Sequence, residues 1–194
     1  MTTNIGFPSL KPLGSWMQDL IDRIEFISKW VYEGPPKTFW VASFFFPQGF
    51  MTATMQTYAR NTGKPIDTLD FATHVLDVQG HEIEEAPEIG VNIHGMFMQG
   101  AKWDYKAKCV ADSDPKVPLV DFPVIWLEPI EKVGDPASAS EVFECPMYKT
   151  SARKGELSTT GHSTNFVLML NLPSKVHSDY WIRRGAALLC MTDD

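Results

Sequence analysis

The hydrophobic period of this chain changes once, at Pro65, and that change limits the fold more than any other feature. Before it the period is helical. In SWMQDLIDRIEFISKWVYEG, Met17, Leu20, Ile24, Ile27 and Val31 recur every three or four residues and draw one apolar stripe. Ser15 fits the N-cap, with Gln18 three residues on as the partner of a capping box. Gly34 offers a left-handed ending, and Pro35 and Pro36 forbid continuation. Trp16, Ile21, Phe26 and Trp30 lie off the stripe and give the helix a second apolar face. The run TFWVASFFF predicts a buried strand. PQGFMTATMQTYARN predicts a second helix, with Pro47 in its first turn and Gly63 and Pro65 at its close.

After Pro65 the apolar runs shorten to four to eight residues, the length of strands. LDFATHVLDV places Leu69, Phe71, Thr73 and Val75 on one face, and GVNIHGMFM does the same for Val91, Ile93, Gly95 and Phe97. FPVIWL, EVFECPMY, NFVLMLNL and GAALLCM follow, with turn signals such as Gln79-Gly80, Gln99-Gly100 and Asp114-Pro115 between the runs. The acidic segment HEIEEAPE is expected as a solvated loop. The fold class is therefore α+β: two or so N-terminal helices leading into an antiparallel β-barrel or sandwich. Residues 1–64 form the helical segment with one strand and residues 65–194 the β-barrel module, together one compact domain.

Composition narrows function. With 44% apolar and 12% aromatic residues among 194, there is enough to fill a single core. A net charge of −7 repels a phosphate backbone, and no basic stripe interleaved with aromatics is present, so no nucleic-acid partner is expected. No apolar run approaches the roughly 20 residues that span a bilayer, so no membrane partner is expected either. Met1 leads into TTNIGFPSLKP without the apolar core of a signal peptide, and the three separated cysteines suit reduced, buried thiols. These features predict a soluble, intracellular protein.

Motifs for chemistry are sparse. Gly63-Lys64 is followed by Pro65 rather than Ser or Thr and lacks the upstream glycine, so it is no P-loop and no nucleotide cofactor is expected. His74, His81, His94, His162, His177 and the cysteines show no CxxC, HxxxH or HExxH spacing, so no metal is expected. The one tempting nucleophilic arrangement is Cys145 or Ser163 with His162, an alternative reading as a stand-alone hydrolase. Against it, Cys145 precedes Pro146 in an apolar strand, and no GxSxG elbow exists. Residues 148–166, YKTSARKGELSTTGHSTNF, hold seven Ser or Thr hydroxyls, which equally satisfy backbone groups in turns. No catalytic residue is assigned. Lys149, Arg153 and Lys154 in that stretch form a basic cluster on an acidic protein, a candidate contact for an acidic partner surface.

In order along the sequence, GFPSLKPLGSW, GPPKTFWVASFFFPQGFMTATMQTYAR, PIDTLDF, IHGMFMQGAKWD, CPMYKTSARKGELSTTGHSTNF and YWIRRGAALLC resemble the C-terminal end of axonemal dynein heavy chains. The resemblance runs from about Gly6 to Cys190, and STTGHSTNF and FFFPQGF look axonemal rather than cytoplasmic. It implies a fragment of a larger motor: helices leading into a small β-barrel that lies against the AAA+ ring of the same heavy chain. ATP would bind elsewhere in the parent polypeptide, and microtubules would be met only through it, since no Walker motif and no heptad run occur here. The implied role is a non-catalytic cap that modulates ciliary motility, with dynein subunits as partners and the axoneme of cilium or flagellum as location. Outer and inner arm are left open. On this reading Trp16, Ile21, Phe26 and Trp30 face the preceding helices or the ring, and Lys149, Arg153 and Lys154 supply a charged ring contact.

Overall fold

The computed structural model describes residues 11–132, 141–151, 153 and 165–191. Helix α1 covers Leu13–Glu33 and α2 covers Pro47–Thr62. The ends of α2 follow from its residues: Pro47 occupies the first turn, and Gly63 closes the helix at φ 70°, a left-handed conformation costly for a side chain with a Cβ. The start of α1 differs from expectation. It begins at Leu13 behind Pro12 with no side-chain cap, and Gln18 donates to Asp22 one turn on instead of closing a box with Ser15. Gly34, with φ 99°, ends it as the glycine predicts.

Between the helices, TFWVASFFF is less of a strand than expected. Only Phe39–Trp40 pair as a strand, β1; Val41–Ser43 then form a 3-10 turn. The Ser43 hydroxyl donates to the Trp40 carbonyl at 2.6 Å and closes that turn, which lets Val41, Ala42 and Ser43 all bury.

The remaining strands are β2 Leu69–Val75, β3 Val91–His94, β4 Met96–Gln99, β5 Lys102–Asp104, β6 Cys109–Ala111, β7 Leu119–Phe122, β8 Ile125–Glu131, β9 Val142–Tyr148, β10 Phe166–Pro173 and β11 Ala187–Leu189, with the short helix α3, Ser178–Arg183, before the last. Among the described residues they make a four-stranded sheet ordered β1-β3-β8-β2, a five-stranded sheet ordered β10-β9-β11-β4-β7, and a ribbon of β5 and β6. β2 packs beside β10, so the two larger sheets face each other as a sandwich rather than closing into a barrel.

Among the described residues two strand pairings are parallel, β1 with β3 and β11 with β9, against the expectation of an antiparallel module. The second has a clear cause. β10 runs antiparallel to β9, and α3 carries the backbone back, so β11 re-enters the sheet in the direction of β9. Gly95 divides the expected GVNIHGMFM strand in two. Its φ is 80° and a Cβ there would lie 2.4 Å from Trp40 Cδ1, so the backbone turns over at this point. The inward residues past it are Met96 and Met98, each 1% exposed, rather than Gly95 and Phe97.

The core lies between the sheets and includes Ile93, Ile125, Leu127, Phe143, Met147, Leu170, Leu172 and Leu188, all fully buried. Each such side chain contributes about 1.5–3 kcal/mol by leaving water. The helical segment covers this core with rings: Phe39, Phe44 and Phe50 pack together, Phe44 stacking on Phe50 at 4.4 Å between centroids.

Candidate functional site

Cys145 is fully buried, and burial pushes its thiol up to about 12; Cys190 is raised to the same value for the same reason. A thiol held protonated beneath a sheet is a small hydrophobe, not a nucleophile. His162 and Ser163, its expected partners, lie outside the described residues, and nothing supports the hydrolase reading. Two of the described histidines, His74 and His177, have local structural partners, and a third, His94, is partly buried. His74 stacks on Trp126 and its Nε2 lies 2.9 Å from Glu128 Oε2; His177 Nδ1 accepts from the Asp179 backbone N–H at the start of α3; burial lowers the pKa of His94. No group of three metal-binding side chains forms among the described residues.

The basic cluster is drawn inward. Lys149 Nζ donates to the Phe45 carbonyl at 2.7 Å, fastening β9 to the segment that precedes α2, and burial lowers its pKa. Arg153 Nη2 donates to the Gly185 carbonyl at 2.6 Å and to Gln99 Oε1, and its guanidinium lies over the Tyr148 ring. One cation thus clasps β4, β9 and the turn after α3, an internal tie rather than an outward charge. Lys154 lies outside the described residues.

The faces of α1 are arranged in a way the apolar spacing does not specify. Phe26 meets Trp40 and Phe44 edge-on, each at 6.4 Å, and Trp30 meets Phe39 at 5.1 Å and Phe44 at 6.1 Å. Both belong to the domain's own core, so they do not lie on an outward face. Trp16 is half-buried, and Ile21 lies outside. On the inner side sits Arg23, 4% exposed, ion-paired to Asp19 at 3.6 Å and donating to Met191 Sδ. Burial lowers the Arg23 pKa, and Asp19 works against that shift.

The main stripe is what remains uncovered. Leu13, Met17, Ile24, Ile27 and Val31 are 63, 45, 57, 37 and 72% exposed, and the neighbouring Ile21 is 45% exposed. With half-buried Leu20, positions 13, 17, 20, 24, 27 and 31 alternate steps of four and three residues. Contrary to the expectation of no heptad run, this is the seam spacing that accepts a second helix. Two heptads of aliphatic side chains facing water form a patch of the kind that marks an interface.

The family model for the C-terminal domain of the dynein heavy chain matches residues 2–190. Dynein axonemal heavy chain 1 of Homo sapiens is 43% identical over 187 residues, which is 96% of the present sequence and 4% of that protein. Dynein axonemal heavy chain 6 of Homo sapiens is 43% identical over 212 residues, covering 99% of the present sequence and 5% of that protein. Dynein axonemal heavy chain 3 of Mus musculus is 44% identical over 190 residues, 97% of the present sequence and 4% of the relative. The 194 residues therefore span about 4–5% of the length of these relatives.

Proposed function

The protein belongs to the family of dynein heavy-chain domains at the C-terminal end, and we propose that it is a non-catalytic cap that packs on the AAA+ motor ring of its own heavy chain in the axoneme. The observation that carries this reading is the bare heptad seam of α1, Leu13 to Val31, on a polypeptide whose relatives extend about twentyfold beyond the matched segment. A helix of the same polypeptide has the chemistry to cover that seam, and its attachment makes docking intramolecular, with a high effective concentration. The cap modulates microtubule-based movement by binding one ring conformation better than another. Couplings of this type are typically about 1–3 kcal/mol, or about 5–150-fold in an equilibrium.

The test is made in the whole heavy chain with Ile24→Ser and Val31→Ser together. Loss of docking exposes the seam to limited proteolysis and changes ATP-driven microtubule gliding by about fivefold or more. Unchanged protease resistance and unchanged gliding would overturn the assignment of this face to the ring.

A further inference from the structure

A second surface, separate from the seam, is already shaped for a partner. The segment 79–90 arches over the outer face of β8 and encloses with it a groove of about 720 Å³. Its apolar wall includes Val78, Ile83, Ile89 and Trp126. Five carboxylates border the same space, and among the described residues no lysine or arginine lines it. Two of the five are engaged: Glu82 accepts from the Gln79 backbone N–H at 2.6 Å, and Glu128 lies against His74. Glu84, Glu85 and Glu88 are exposed and have no cation partner among the described residues.

The groove is held open by fixed contacts. The backbone pairs Leu76 to Val124 and Val124 to Val78, each at 2.9 Å, pin its near end. Gln79 and Glu82 close a capping box at the first bend. At the far end Trp126 Nε1 donates to the Ile89 carbonyl at 2.8 Å. Gly90 then passes so close to β8 that a Cβ would lie 1.9 Å from the Leu127 carbonyl oxygen. A segment tied at both ends and at its bend presents its acids and its apolar wall in one arrangement, which lowers the ordering cost of binding.

We propose that this groove docks a basic polypeptide segment in which Lys or Arg residues flank an apolar anchor. The anchor enters against Ile83, Ile89 and Trp126, and the cations meet Glu84, Glu85 and Glu88. An apolar occupant alone would leave three carboxylates facing a surface that offers them no donor. A cation alone would leave the apolar wall wet. Only a partner carrying both matches the whole lining, and complementary charge on that rim also steers its approach.

Fluorescence anisotropy of the 194-residue polypeptide tests this with two labelled peptides of equal charge, Lys-Leu-Lys-Lys-Leu-Lys and its Leu→Ser counterpart. The leucine peptide binds, and the serine peptide binds at least about tenfold more weakly, a difference of about 1.4 kcal/mol. The triple variant Glu84→Lys, Glu85→Lys, Glu88→Lys loses at least as much affinity for the leucine peptide. Circular dichroism checks its fold, and Glu84→Gln replaces it if the fold is disturbed, with a smaller loss in the same direction. Absence of binding, equal binding of the two peptides, or affinity indifferent to the acidic variants overturns the proposal. So does sedimentation showing that the protein self-associates through this groove, because the occupant is then a second copy.

Discussion

On the inner side of α1, Phe26 and Trp30 interlock with Phe39, Trp40 and Phe44; on the outer side, Leu13, Met17, Ile24, Ile27 and Val31 meet water. By spacing alone the outer row is the better core stripe. The inner row prevails because its rings find other rings, and edge-on aromatic pairs contribute about 0.5–1.5 kcal/mol each beyond their buried area. The inner side even takes in a charge, Arg23, while the five apolar side chains outside remain exposed. A domain selected only to fold by itself would do the reverse. The difference teaches that the two faces of one helix differ in kind, with ring-on-ring packing on the inner side and an exposed aliphatic row on the outer side, the face that the proposed docking on the ring would cover.

Three substitutions test that division in the 194-residue protein. The largest effect is expected from Trp30→Ala, which removes a half-buried ring from contact with Phe39 and Phe44. Stability falls by about 2–3 kcal/mol in chemical denaturation, slightly below the range for fully buried tryptophans. A loss under about 0.5 kcal/mol, the range of ordinary surface substitutions, breaks the comparison. Asp19→Ala comes second. It removes the Asp19 carboxylate from the buried Arg23 guanidinium and from Lys11, which pairs with the same Asp19 at 3.0 Å. Because Asp19 is partly solvated, the cost is about 1–2 kcal/mol, short of the figure for a fully buried pair. The smallest effect belongs to Ile24→Ser with Val31→Ser, which changes stability by no more than about 0.5 kcal/mol. The same pair lowers concentration-dependent association in sedimentation, since it removes apolar surface already exposed in the fold. A large stability loss from these serines places the core on the outer side and reverses the comparison.

In the sequence the elements are more legible than their partners. Pro47 and Gly63 bracket α2 because their backbone preferences act locally, and most of the β runs announce themselves by length and flanking turns. The ribbon of β5 and β6 leaves no such mark, because KWD and CVA are too short to show a period. Ser15 and Gln18 carry the capping-box pattern, yet the box forms at Gln79 and Glu82, in a segment whose acidity suggests only solvation. Both positions have suitable side chains; which closes depends on the local turn. The candidate contacts are harder still. Lys149 and Arg153 read as outward charge, but their acceptors, Phe45 and Gly185, lie 104 and 32 residues away. The inner face of α1 is likewise decided by Phe39 and Phe44, which no helical periodicity within α1 includes.

The thiols have a practical consequence. Burial holds the Cys145 and Cys190 thiols protonated at neutral pH, and the sheets shut reagents out as well. Maleimide or iodoacetamide taken up at either position is therefore a tally of molecules that have opened. Labelling time becomes a stopwatch for the sandwich itself, readable by mass spectrometry with no fluorophore and no substitution.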